Sequence, residues 1–270
     1  MEFAHGFRVG LRIFMVIGLA ILYIPLILIV VNSFNQSKTF AFPPTGFTLQ
    51  WWVAAAHSTG ALKALGTSMI AGVGATIIAL LLGTMAAFAV QRYRFFGRQT
   101  ISFLVVLPIT LPGIVTGLAL FSTFSAVLGP LGVALGIGTV IIGHATFCIV
   151  IVFNNVQARL RRLGTSLEEA SADLGGTGWQ TFRYVTFPSI RGALVAGALL
   201  AFALSFDEIV VTTFTAGAEV QTLPIWIFGN LFRPNQAPVV NVVAAVLTIV
   251  AIVPVWLSQR LAGDSVTSRV

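Results

Sequence analysis

The sequence predicts an all-α integral membrane protein with six transmembrane helices, and three observations carry that prediction. First, 57% of the 270 residues are hydrophobic and only 9% are charged, with a mean hydropathy of +0.97. That leaves too little polar surface for an ordinary water-soluble domain. Second, apolar stretches of the roughly 20 residues that cross a bilayer recur along the chain and leave no room for a sizeable extramembrane domain. Residues 1–270 therefore read as a single transmembrane domain. Third, the basic residues fall almost entirely in alternate loops, the pattern of a multi-pass protein.

The first span, 13–31, is longer than the apolar core of a signal peptide. Asn32-Ser33-Phe34-Asn35 behind it offers no small-x-small cleavage site, so the span is expected to be retained. The second, 64–90, carries Gly66, Gly72, Gly74 and Gly83, and the third, 101–125, contains Gly113-x-x-x-Gly117. Small residues let helices approach closely in lipid, where no hydrophobic force drives them together. Pro108 and Pro112 remove backbone donors within the third span and predict a kink or local unwinding, read either as structural or as part of a translocation path.

The fourth span, 137–156, holds the single cysteine, Cys148, which reads as a small buried hydrophobe and excludes an internal disulfide. It also holds His144, either hydrogen-bonded to a neighbouring helix or acting as a ligand or proton relay. The fifth, 193–213, carries the adjacent carboxylates Asp207 and Glu208. Such a pair is costly at membrane depth unless it meets water, a cation or a partner base. Two readings stand: a helix end facing water or a partner subunit, or direct contact with a cationic substrate, with Phe206 alongside. The sixth span is 239–257.

Charge sets the orientation. Arg8, Arg12, Arg92, Arg94, Arg98, Arg159, Arg161, Arg162, Arg183, Arg191, Arg260 and Arg269 fall on one side of this six-span layout, and Lys38, Lys63 and Arg233 on the other. The positive-inside rule then places both termini and the 164–190 loop in the cytoplasm. Trp51, Trp52 and Trp226 in the opposite loops suit interfacial anchoring. The net charge of +7 belongs to this edge pattern, and its dispersal through short loops points away from nucleic acid.

The 164–190 loop is the least lipid-like stretch. Thr165 or Ser166 with Glu168 or Glu169 predicts a capped helix that Gly175 and Gly176 stop. Thr177 with Gln180 predicts a second helix that runs through Phe182 and ends before Pro188. Leu167, Ala170, Ser171 and Leu174 share one face, a small and mildly apolar stripe suited to another protein's cleft.

Glu169-Ala170-Ser171, Gly175 six residues after the glutamate, and Pro188 behind Phe187 resemble the EAA loop of the membrane-spanning permeases of binding-protein-dependent ABC importers. Ser205 to Gly217, SFDEIVVTTFTAG, followed by Leu223-Pro224, is similar to the spermidine/putrescine class. The chain departs from the usual pattern at Ser171 and Gly176, where alanine is common, and at Phe187, where leucine is. The resemblance implies a type I importer permease fold with a cytoplasmic coupling-helix loop. Glu168, Glu169, Ala170, Ser171, Asp173, Leu174, Gly175 and Pro188 would serve ATPase coupling, and Asp207, Glu208 and Phe206 the substrate path.

It further implies an ABC ATPase dimer, a second permease, homologous or identical, and a periplasmic or lipid-anchored substrate-binding protein, all at the cell inner membrane among its lipids. The chain has no phosphate-loop signature, so ATP and magnesium would be bound by the partner ATPase and no cofactor by this chain. His5, His57 and His144 are scattered, so no metal site is expected. No nucleophile and base are singled out for an intramembrane hydrolase. The expected function is ATP-driven alternating access for a small solute, a polyamine first. Another small solute such as an amino-acid derivative or opine, or an ATPase-independent secondary transporter, are the alternatives.

Overall fold

The computed structural model describes residues 5–233 and 235–267. Of the residues singled out above, Arg269 and the side chains of His5 and Arg8 lie outside the described residues. The chain is helical, and no strand forms among the described residues. The helices are α1 (His5–Ser33), α2 (Gln50–Ala56), α3 (Thr59–Arg92), α4 (Arg98–Thr110), α5 (Gly113–Val127) and α6 (Ile137–Leu163). They continue as α7 (Ser166–Asp173), α8 (Gly178–Thr181), α9 (Phe187–Phe206), α10 (Val210–Thr215), α11 (Leu223–Asn230) and α12 (Ala237–Thr267).

Among the described residues, five segments are long and apolar enough to cross a membrane: Val9–Ser33, Thr59–Arg92, Gly113–Leu131, Ile137–Leu163 and Gly178–Phe206. The predicted sixth span falls in α12, whose apolar part Ala237–Val250 is shorter. Two predicted spans are not continuous helices. The third divides into α4 and α5 at Leu111 and Pro112, where Leu111 is extended (φ −80°, ψ 144°). The residue before a proline is disfavoured in helical geometry, so Pro112 breaks the span, while Pro108 is accommodated inside α4. The fifth ends at Phe206 and resumes at Val210; the carboxylates stand in the gap.

The chain forms two compact units. In the first, residues 1–62 with 226–250, Asn35 organises the loop after α1. Its Oδ1 accepts from Thr45 N (3.3 Å) and Oγ1 (3.2 Å), its Nδ2 donates to Ala41 O (3.2 Å), and its carbonyl accepts from Trp51 Nε1 (3.0 Å). Trp52 stacks on Phe34 at 5.1 Å. Trp226 is buried at 5% exposure and sits over Gly60; it is a packing residue, which corrects its reading as an interfacial anchor.

The second unit, 63–225 with 251–270, centres on α6. The seam between α6 and α9 runs from Arg159 Nε donating to Ser189 O (2.9 Å), through Cys148 Sγ to Ala201 O (3.3 Å), to His144 bonded to Ser205. The other wall of α6 meets α3, and the backbones come so close that a Cβ at Gly83 would stand 2.8 Å from Ile149 O. Gly72 and Gly74 likewise face Phe202 and Ile141, whereas nothing among the described residues approaches Gly66. In lipid such small-residue contacts supply the packing that water-driven burial supplies elsewhere.

Candidate functional site

Two regions of the second unit gather the residues singled out by sequence. The first is the loop carrying α7 and α8. Glu168 and Glu169 are sequence neighbours with opposite fates. Glu168 turns inward: Arg92 at the end of α3 donates from Nη2 to Glu168 Oε1 (3.1 Å), and its Nε lies 3.0 Å from Oε2. Thr186 Oγ1 donates to the same carboxylate at 2.9 Å. Thr165 makes no side-chain cap on α7, which corrects the predicted capping box. The Glu168 carboxylate is drawn instead to the guanidinium, a stronger charged partner than a backbone N–H. Glu169 is exposed and its carboxylate has no hydrogen-bond or ion-pair partner among the described residues.

Helix α7 ends in a Schellman closure, in which Gly175 N donates to Ala172 O and Gly176 N to Ser171 O, both at 2.9 Å. Gly175 adopts φ +79° with open space around it. That left-handed geometry strains any residue with a Cβ. Ser171 Oγ and Thr181 Oγ1 meet at 2.9 Å and tie α7 to α8. Leu167, Ala170, Leu174 and Tyr184 line an open groove of about 410 Å3, with Leu174 90% exposed. Asp173 is exposed beside it.

The capping box of Thr177 and Gln180 forms as expected, Gln180 N donating to Thr177 Oγ1 (3.3 Å) and Thr177 N to Gln180 Oε1 (2.8 Å). The helix it starts does not end before Pro188. A π turn, Phe182–Thr186, joins α8 to α9, and Pro188 lies in the first turn of α9. Proline cannot donate and crowds the carbonyl four residues back. The wider π turn just upstream, with Phe187 N bonded to Phe182 O, lets the chain pass through it.

The second region is the gap in the fifth span. His144 of α6 is fully buried; Nδ1 meets Ser205 Oγ at 2.7 Å and Nε2 meets Thr212 Oγ1 at 2.8 Å. One imidazole thus pins both sides of the break, the structural reading of this histidine. Glu208 Oε1 accepts from Val211 N at 2.8 Å, satisfying an orphan donor at the start of α10. Asp207 caps α9 with its backbone, N to Ala203 O at 3.2 Å. Its side chain is exposed and has no hydrogen-bond or ion-pair partner among the described residues. Phe206 is 2% exposed and stacks on Phe202 at 5.5 Å, which removes it from the surface a solute meets in this conformation.

The two interrupted spans adjoin. A Cβ at Gly113 would stand 3.5 Å from Val210 Cγ1, and one at Gly117 2.5 Å from Phe214 Cδ2. The Gly-x-x-x-Gly face of α5 is therefore the seat of α10, and the break at Pro112 lies close to the break at Asp207. Sequence reading missed this pairing, although the glycine spacing and Val210 and Phe214, also four apart, were its visible trace.

The family described as "Binding-protein-dependent transport system inner membrane component" matches residues 79–263. The chain belongs to this family. It is 34% identical over 251 residues to the "Spermidine/putrescine transport system permease protein PotC" of Escherichia coli (strain K12), with 93% of both chains covered. It is also 34% identical over 238 residues to the "Putrescine transport system permease protein PotI" of the same strain, covering 87% of this chain and 84% of the relative. The fold is shared with a chain of a "bacterial ABC transporter involved in the import of the acidic polysaccharide alginate", at a TM-score of 0.69 and 17% identity, covering 96% of this chain and 99% of the other. The chain is thus a multi-pass inner-membrane permease, the transport component of an importer that works with ATPase subunits and a substrate-binding protein.

Proposed function

We propose that the chain forms one half of a polyamine translocation path, paired with a second permease, and that its 164–190 loop docks in the ATPase. The observation that carries the substrate assignment is the Asp207 carboxylate, exposed and unpartnered at a helix break. Broken helices at membrane depth are tolerated where they are buried in protein or line a cavity, and an exposed carboxylate at the break fits the second case. A di- or tri-ammonium solute loses strong hydration on entering such a path, and a carboxylate offsets part of that loss. The names of the relatives, spermidine/putrescine and putrescine permeases, support the same solute class.

On this reading Glu169, Ala170, Asp173, Leu174 and Gly175 meet the ATPase, and Glu168 positions them. Its carboxylate holds both Arg92 and Thr186, so a pull on α7 reaches α3 and the π turn together. From there the continuous helix Gly178–Phe206 leads to Asp207. ATP-driven closure of the ATPase dimer would act on the break through this lever, giving alternating access.

The assembled importer in vesicles, with its binding protein and internal ATP, tests the assignment. Labelled putrescine or spermidine is expected to accumulate only with ATP, and competing polyamines to suppress it while zwitterionic amino acids do not. Uptake without any ATPase, or a binding protein loaded with an anion or sugar, would remove the reading.

The orientation follows from the arginine distribution. Lys38 and Asp173 are both exposed and without side-chain partners among the described residues, and native Cys148 is buried. Lys38→Cys is expected to react with a membrane-impermeant thiol reagent in spheroplasts, and Asp173→Cys only after lysis. The reverse pattern inverts the topology.

A further inference from the structure

We propose that the cleft between the last turns of α6 and the first turns of α9 binds a phosphoryl group, carried by an anionic phospholipid of the adjoining leaflet. Arg159, Arg162 and Arg191 line one cleft of about 400 Å3 together with Asn155, and no acidic residue joins them among the described residues. Gly192 and Ala196 on the same walls leave the space unfilled. Arg159 is already engaged, donating to Ser189 O. The guanidinium groups of Arg162 and Arg191 have neither a hydrogen-bond acceptor nor an acidic partner among the described residues.

Three like charges in one cleft repel one another, and an anion between them reverses that cost. The guanidinium fork matches phosphate oxygens in pairs, and Asn155 can add a donor. Both walls are membrane spans, Ile137–Leu163 and Gly178–Phe206, and the cleft sits where their apolar runs give way to arginine. That is headgroup depth, where basic pockets between transmembrane helices take anionic lipid heads. The same charge makes the cleft a poor station for a cation, so the site is distinct from Asp207 and does not rest on the identity of the solute.

The assembled importer, purified in detergent and examined by native mass spectrometry during delipidation, tests the site with phosphatidylglycerol and phosphatidylcholine as probes. The wild type is expected to keep phosphatidylglycerol preferentially. An Arg162→Gln, Arg191→Gln double variant is expected to lose about twenty-five-fold in retention, at about fivefold per arginine. Arg94→Gln with Arg98→Gln, which removes equal charge from the α3–α4 loop and the first residue of α4, is expected to cost far less than the double variant. Equal retention by wild type and double variant, or equal loss in the control, overturns the site. Displacement of phosphatidylglycerol by millimolar inorganic phosphate overturns the lipid source and leaves a soluble phosphoryl ligand. If the double variant fails to assemble, Arg191→Gln alone is expected to show the fivefold loss, and no loss there overturns the proposal.

Discussion

Gly175→Val is expected to uncouple ATP hydrolysis from uptake while the permease still reaches the membrane. At φ +79° with no heavy atom of the described residues near its missing Cβ, the residue is constrained by backbone geometry and not by packing. A β-branched side chain in that region costs about 1–3 kcal/mol. The chain escapes the cost by opening the Schellman closure, which releases Ser171 O and Ala172 O and moves Leu174 away from the groove. The span Gly178–Phe206 and its seam with α6 lie beyond this turn, so insertion is preserved.

A graded series isolates the cause. Asn tolerates a left-handed backbone and is expected to keep most uptake, Ala an intermediate share, and Val about a tenth or less, since 1.4 kcal/mol corresponds to a factor of ten. Co-elution of the ATPase should fall in the same order. Full uptake and full ATPase retention in the Val variant would show that this loop is not the docking element. Loss in the Asn variant equal to that in Val would place the ATPase directly on the glycine surface.

Much of this site was legible because it is local chemistry. The Thr177 and Gln180 box and the Gly175 stop each depend on residues within a turn of one another, and spacing along the chain reports them. The parts that were not legible depend on partners distant in sequence. Glu168 reads as a helix cap until Arg92, seventy-six positions away, is brought beside it. Pro188 reads as a terminator, because nothing in a proline announces the π turn that accommodates it.

The same holds for the fifth span. Composition alone makes 193–213 one apolar run with two carboxylates. What divides it is His144, whose ring holds Ser205 and Thr212 on opposite sides of the gap, and Glu208, whose side chain caps the second piece. Hydrophobic patterning located both interrupted helices; Pro112 announced the break in the third span, and nothing in the composition announced the one in the fifth. An apolar segment that folds back on protein and one that continues through lipid have the same composition.

Asp207→Asn is expected to cut polyamine uptake about ten- to a hundredfold, the range that follows from losing an interaction of about 1.5–3 kcal/mol between an ammonium and an ionised acceptor. The substitution keeps the shape of the side chain, and the backbone bond of Asp207 N to Ala203 O is indifferent to it. No side-chain partner is lost among the described residues, so thermal stability and ATPase co-elution should stay at wild-type values. Glu208 supplies the internal comparison one residue away. Its carboxylate already accepts from Val211 N, an acceptor role that Gln retains and Ala abolishes. Glu208→Gln should therefore leave uptake within a few-fold of wild type, and Glu208→Ala should lower stability by about 1 kcal/mol through the lost cap. If Asp207→Asn transports at the wild-type rate while Glu208→Gln fails, the solute contact belongs to Glu208 and the cap is the secondary role. If both transport normally, the pair only terminates α9 and starts α10, and the cation is recognised elsewhere along the path.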